Sequence, residues 1–135
     1  MVGHFYGWSR MKSNTKRDGI ILAMYCALIF YLSHQPTLPM PMGFPNQDKL
    51  VHMTAYAVMG SCAWLYFRHY ALSNIVLFMI ALLFSSAYGA SDEFHQSFIE
   101  GRDADVWDWF ADTVGAGLAL LFIMKKTAST KQVEL

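Results

Sequence analysis

Four long apolar segments, separated by short polar stretches, make up most of the chain. They cover residues 19–35, 50–67, 71–89 and 106–124. Each is close to the roughly 20 residues that a helix needs to cross a bilayer, and the first is the shortest. The pattern predicts an all-α fold, a bundle of four transmembrane helices. The first segment has no small-x-small cleavage site after it, so we interpret it as a retained signal-anchor helix.

Basic residues are concentrated on one side of this predicted bundle. Eight of the ten lysines and arginines lie before the first helix, between the second and third, or after the fourth. The positive-inside rule therefore places both termini in the cytoplasm and the loops 36–49 and 97–104 on the outer face of the cytoplasmic membrane. The predicted domains are a cytoplasmic segment over residues 1–18, a membrane domain over 19–124 and a cytoplasmic tail over 125–135.

The composition supports a membrane protein and excludes other classes. Hydrophobic residues make up 55% of the chain and charged residues only 15%, which is low for a soluble domain. The net charge is zero, so we expect no nucleic-acid partner. Cys26 and Cys62 lie inside apolar segments and are interpreted as small packing residues. The expected partner is the lipid bilayer, and an oligomer is left open.

Polar residues interrupt the second predicted helix near its outer end. Asp48, His52 and Tyr56 follow one another at intervals of four, so they share one face. Asp48 also suits a helix N-terminus, where a carboxylate caps the helix or meets its dipole. A histidine and a tyrosine deeper on that face indicate a site, although His52 could also be an ordinary packing residue.

The outer end of the third helix carries two consecutive acids, Asp92 and Glu93, followed by Gln96. Negative charge at a helix C-terminus opposes the macrodipole, so these acids do not serve helix stability. We expect a compensating partner, either Arg102, Lys49, a histidine or a bound cation. The alternative is a solvated acidic helix end.

The fourth helix begins with an acidic stripe formed by Asp105, Asp108 and Asp112. Asp112 lies about 10 Å along the axis from Asp105, at ~1.5 Å per residue. An isolated anion at that depth is costly, so we expect Asp112 to be neutralised or paired. Beneath it, small residues at intervals of four, with Gly115 at their centre, predict close helix packing.

These motifs together resemble the VanZ-like family of small bacterial integral membrane proteins. The resemblance covers most of the chain and is carried by four elements: Ser33-x-Gln35-Pro36, Asp48-Lys49-x-x-His52 with Tyr56, Asp92-Glu93-x-x-Gln96 with Gly101-Arg102, and Asp108 with Asp112-x-x-Gly115-Ala116. It implies a role in the cell envelope, since the founding member is associated with resistance to the glycopeptide antibiotic teicoplanin. Where the family commonly has asparagine, this chain has the titratable Asp112.

The leading functional hypothesis is a binding module. An outward-facing polar pocket would bind an envelope lipid, a cell-wall precursor or an antibiotic. Arg102 and Lys49 would clamp a phosphate or carboxylate, Arg102 bidentately. The predicted binding residues are Asp48, Lys49, Tyr56, Asp92, Gln96, Arg102 and Asp108.

The second hypothesis is a metal-assisted membrane enzyme that acts on a phosphate-linked lipid. Its candidate catalytic residues are His52, Glu93 and Asp112, with His52 as general acid or base oriented by Asp48. A divalent cation such as Mg²⁺ would be bound by carboxylates. The candidate ligands are Asp92, Glu93, Asp108 and Asp112.

Two further interpretations stay open. Ion or proton coupling through Asp112 and His52 lacks ionisable groups in the cytoplasmic half of the bundle to continue the path. A purely structural network, with Arg102 among the acids, could tie three helix ends together without any chemistry. Acids outnumber bases among these residues, so such a network would keep uncompensated negative charge.

Overall fold

The fold is known from a computed structural model that describes residues 3–37, 41 and 43–133, with side chains for residues 14–37, 41 and 43–129. The described residues form four helices and no strand, which confirms the all-α prediction. The helices are α1 (Gly3–Ser33), α2 (Gln47–Phe67), α3 (Asn74–Gln96) and α4 (Val106–Val133).

Three of these helices are long and apolar enough to cross a membrane, and they are Gln47–Phe67, Asn74–Gln96 and the part of α4 over Val106–Ser129. Helix α1 is not among them and carries Lys16, Arg17 and Asp18 directly before its apolar part. Many large apolar side chains, among them Met24 and Leu83, are exposed along the bundle. Exposed apolar surface of this extent is typical of a protein that faces lipid.

The first helix begins earlier, and the last helix ends later, than predicted. Helix α1 starts at Gly3, well before the predicted residue 19, and α4 continues past residue 124 to Val133. These extensions contain lysines and arginines, which adopt helix readily, but they form no continuous apolar run that would predict a spanning helix. Residues 1, 2, 134 and 135, which belong to the predicted cytoplasmic segments, lie outside the described residues. Helix α3 begins at Asn74, because the Ser73 hydroxyl accepts a hydrogen bond from Val76 N at 3.3 Å.

Helices α2 and α4 approach each other most closely at Gly115. A Cβ atom added there would overlap the backbone carbonyl of Met53, so only glycine fits. The surrounding core is formed by Met59, Ala63 and Leu120, all fully buried. This contact fixes the rotation and height of α4 against α2, and hence the positions of the polar residues one turn away.

Hydrogen bonds from two tyrosines link α1 to α2 and α3. The Tyr25 hydroxyl of α1 donates to Ala55 O of α2 at 2.7 Å, and the Tyr88 hydroxyl of α3 donates to Cys26 O of α1 at 2.6 Å. Cys26 is a free thiol, as is Cys62, and both belong to the packed interior. Each bond joins a tyrosine hydroxyl on one helix to a backbone carbonyl on its neighbour, and together they hold α1 against the bundle.

A buried acid ties α1 to the turn between α2 and α3. Asp18 is only 3% exposed, and its carboxylate accepts hydrogen bonds from His69 Nε2 and from Arg17 Nε, both at 2.9 Å. Burial acts to raise the pKa of Asp18, but the bonds from His69 and Arg17 hold it below its ordinary value. No sequence pattern indicates a role for Asp18, because its partner His69 lies 51 residues away in the chain.

Candidate functional site

Polar side chains from all four helices meet at one end of the bundle, which we call the site end. It contains the C-terminal ends of α1 and α3 and the N-terminal ends of α2 and α4. The polar cluster is defined by these contacting residues: Ser33, Asp48, Lys49, His52, Tyr56, Asp92, Glu93, Gln96, Arg102, Asp105, Asp108 and Asp112.

Lys49 is surrounded by three aspartates. Its Nζ lies 3.0 Å from Asp48 Oδ2, 2.8 Å from Asp105 Oδ2 and 2.7 Å from Asp108 Oδ1. A lysine ammonium has three donors, so all of them are used. The bond from Lys49 and a second from Trp107 N lower the pKa of Asp105. Lys49 therefore joins the start of α2 to the start of α4 and has no free donor for a ligand.

Glu93 holds the start of α4 with one of its oxygens. Its Oε2 accepts a hydrogen bond from Asp105 N at 2.9 Å, while Asp105 Oδ1 accepts one from Trp107 N. These bonds satisfy backbone donors at the beginning of the helix. Glu93, at the C-terminus of α3, is therefore hydrogen-bonded to the backbone at the start of α4. Its other oxygen, Oε1, is buried and has no hydrogen-bond partner among the described residues.

His52 and Asp112 form the deepest contact of the cluster. Asp112 is 0% exposed, and its Oδ1 lies 2.8 Å from His52 Nδ1. A Cβ atom at Gly89 would lie 3.0 Å from Asp112 Oδ2, so the glycine lets α3 close over this carboxylate. Asp112 Oδ2 is the second buried oxygen without a partner in the described part of the chain.

Asp92 belongs to a separate branch of the cluster. Its Oδ2 accepts hydrogen bonds from the Tyr56 hydroxyl at 3.3 Å and from Gln96 Nε2 at 3.5 Å. Gln96 Nε2 also lies 3.4 Å from Ser33 Oγ, which brings α1 into the cluster. The side-chain amide oxygen of Gln96, Oε1, in turn accepts a hydrogen bond from Arg102 Nη2 at 3.0 Å.

Two adjoining cavities open beside Arg102. The larger has a volume of about 330 Å³ and is bordered by the loop residues Pro36, Thr37 and Asp103 as well as by the cluster. The smaller, about 60 Å³, extends between α1 and α2. Its apolar wall is formed by Ile29, Leu32, Val51 and Ala55. His52, Gln96 and Arg102 line both cavities.

The structure brings the predicted residues to one end of the bundle but gives several of them unexpected partners. Asp48 contacts Lys49, and the side chain that His52 contacts at hydrogen-bond distance is Asp112, so Asp48 does not orient the imidazole. Among the described residues, His52, Glu93 and Asp112 form a group whose side chains could share one metal ion.

Two of the four carboxylates predicted as metal ligands are engaged elsewhere. Asp92 contacts Tyr56 and Gln96, and Asp108 contacts Lys49. Among the residues that the structure describes, Arg102 forms no ion pair with an acid, and its Nη2 donates to Gln96 Oε1. Two contributors were missed, Ser33 and the backbone N–H of Asp105. The family motif contains Ser33, but no side-chain pattern indicates a backbone donor.

The comparison with known families agrees with the sequence motifs. The VanZ/LLP1 family profile matches residues 18–127, which contain the whole polar cluster. No curated protein and no solved structure matches the chain.

Proposed function

The chain belongs to the VanZ/LLP1 family, and on that premise we propose that this membrane protein binds the anionic head group of a cell-envelope lipid in the cavities beside Arg102. The ligand class includes phosphate-linked lipids and lipid-linked cell-wall precursors, because both present a phosphate next to hydrocarbon. Arg102 is the residue assigned to the phosphate.

The observation that carries the proposal is the contrast between the two cations of the cluster. Lys49 donates to three aspartates, whereas Arg102 donates to the neutral amide of Gln96 and, within the described residues, forms no ion pair with an acid. A guanidinium has five N–H donors and binds a phosphate or carboxylate through two parallel bonds. An arginine that faces two cavities without an acidic partner is suited to bind an anion there.

The cavity lining favours a lipid over a soluble anion. The apolar wall between α1 and α2 lies directly beside Arg102 and His52, so a ligand with a charged head and a hydrocarbon part meets matching surface on both. Asp48, Asp103 and Asp108 also line the larger cavity. Lys49 offsets part of the charge of Asp48 and Asp108, and the permanent cation in the lining is Arg102. The charge of the anion would therefore be balanced mainly by Arg102.

We further propose that α1 is a fourth membrane span and that the site end faces outward. The apolar part of α1 packs against α2 and α3, and its exposed side chains Ile20, Met24 and Phe30 are apolar. With four spans both termini lie on the same side, which agrees with the basic residues at both ends of the chain. A site on the outer face would meet envelope components.

The experiment is a measurement of the lipid that the purified protein retains. The parent, Arg102→Ala and the control Arg68→Ala are purified in mild detergent and compared by native mass spectrometry. Arg68 lies at the opposite end of the bundle, so the control removes the same charge away from the site. We expect Arg102→Ala to lose bound anionic lipid at least about tenfold relative to both other proteins, since a charge-assisted bidentate contact is removed. Equal retention by a folded Arg102→Ala would refute the role of Arg102.

A further inference from the structure

Two buried carboxylate oxygens in the polar cluster have no hydrogen-bond partner in the described part of the chain. They are Glu93 Oε1 and Asp112 Oδ2, in residues that are 7% and 0% exposed. Removing a carboxylate from water without a partner is costly, and native structures rarely leave such atoms unsatisfied. Both residues lie next to His52, with Nδ1 at 2.8 Å from Asp112 Oδ1 and 4.0 Å from Glu93 Oε1.

We propose that His52, Glu93 and Asp112 together bind one divalent transition-metal ion, of the class of Zn²⁺ or Mn²⁺. Each residue offers one ligand atom, and these atoms all lie within 4.8 Å of one another. Two atoms bonded to one metal at about 2.0–2.2 Å lie at most about 4.4 Å apart, so small side-chain movements would bring the three ligand atoms close enough. The imidazole favours these metals over Mg²⁺, which prefers oxygen ligands and retains water.

Neighbouring residues hold the ligands in place. Glu93 Oε2 is fixed by Asp105 N, which leaves Oε1 directed at the group. His52 Nε2 lies 3.7 Å from Asp108 Oδ2, and Asp108 is itself held by Lys49. A metal-bound histidine commonly turns its other nitrogen to a carboxylate, which orients the ring and raises its basicity. The three ligands come from α2, α3 and α4, so the ion would also tie these helices together.

The charge of the site matches a divalent cation. Glu93 and Asp112 supply two negative charges that neither Lys49 nor Arg102 contacts within the described residues. With Nδ1 on the ion, His52 is a ligand and not the general base of the predicted enzymatic alternative. This inference does not rest on head-group binding, since Arg102 is not one of the three ligands.

The test is metal binding by the full-length protein after it is stripped with chelator and reconstituted in nanodiscs. Mn²⁺ is titrated, and the free ion is followed by electron paramagnetic resonance. The variants are Glu93→Gln and Asp112→Asn, which preserve shape. The control is Glu100→Gln, which removes an exposed acid of the loop between α3 and α4, outside the polar cluster.

We expect one Mn²⁺ per chain and an affinity at least about tenfold lower in Glu93→Gln and Asp112→Asn, whereas Glu100→Gln binds as the parent does. Coupling of the bound Mn²⁺ to an imidazole nitrogen is expected in the parent and absent in His52→Gln. Thermal unfolding in chelator checks that each variant is folded, and a variant that does not fold is replaced by Glu93→Ala or Asp112→Ser. Absence of saturable binding in the parent would overturn the proposal. Undiminished binding by both ligand variants, or equal loss in Glu100→Gln, would overturn the assigned ligand set.

Discussion

Replacing Gly115 by alanine should push α2 and α4 apart and disturb the polar cluster, whose residue Asp112 lies on the preceding turn of α4. The added Cβ would lie 2.7 Å from both Met53 Cα and Met53 C, and closer still to the carbonyl oxygen. Carbon atoms in contact are normally about 3.5–4.0 Å apart, so the helices must separate by roughly 1 Å. Overpacking of this kind costs about 1–3 kcal/mol, and the contact here is with rigid backbone, so the cost should lie at the upper end.

The separation should also weaken the contact between His52 and Asp112. Met53 directly follows His52, and Asp112 precedes Gly115 by one turn of α4, so a shift at the glycine is transmitted to both side chains. We therefore expect Gly115→Ala to lower thermal stability and also to reduce Mn²⁺ binding by the proposed ion site.

The matched control is Gly117→Ala, the same substitution two residues along the same helix. Its Cβ would meet Leu82 Cδ1 at 3.7 Å, an ordinary contact, and alanine favours the helix over glycine by ~1 kcal/mol. Thermal unfolding of both variants in the same detergent gives the comparison. The reasoning predicts a lowered midpoint for Gly115→Ala and an unchanged or raised one for Gly117→Ala. Equal midpoints would refute the close contact between α2 and α4.

Two further predictions concern the other end of the bundle and its orientation. Asp18→Asn should lower stability at neutral pH but have little effect in acid. The lowered pKa of Asp18 means that its contribution is present above its ordinary pKa of 3.8 and is lost as pH falls through the lowered value; an equal effect at both pH values would contradict this. In a variant without Cys26 and Cys62, a membrane-impermeant thiol reagent should label Asp103→Cys on intact spheroplasts but Ser129→Cys only after lysis. The reverse pattern would place the site end in the cytoplasm.

The four helices could be predicted from the sequence because apolar runs report burial in lipid or protein directly. The predicted segments at 50–67 and 106–124 fall within α2 and α4. The start of α1 and the end of α4 could not be predicted. Residues there, such as Lys125 and Lys126, form a helix through backbone hydrogen bonds, which leave no hydrophobic pattern in the sequence. The start of α3 depends on a single capping hydroxyl, that of Ser73.

The membership of the polar cluster could be predicted, but its pairing could not. Acids at helix ends and a deep Asp112 indicate a site, since such charges need partners. Which partner each receives depends on the rotation of α4 against α2, which is set by Gly115 and Met53. That rotation brings Asp112 to His52 and Asp108 to Lys49, and within the described part of the chain Arg102 forms no ion pair with an acid.

The most direct test of the proposed function is the affinity of the protein for a diacyl lipid with a phosphate monoester head group. Parent, Arg102→Gln and Arg68→Gln are reconstituted in nanodiscs of zwitterionic lipid and titrated with this lipid. We predict saturable binding by the parent and by Arg68→Gln, and an affinity at least about tenfold lower for Arg102→Gln, which corresponds to about 1.4 kcal/mol. The same affinity in all three proteins, or no saturable binding by the parent, would contradict the proposal that the Arg102 cavities bind an anionic lipid head group.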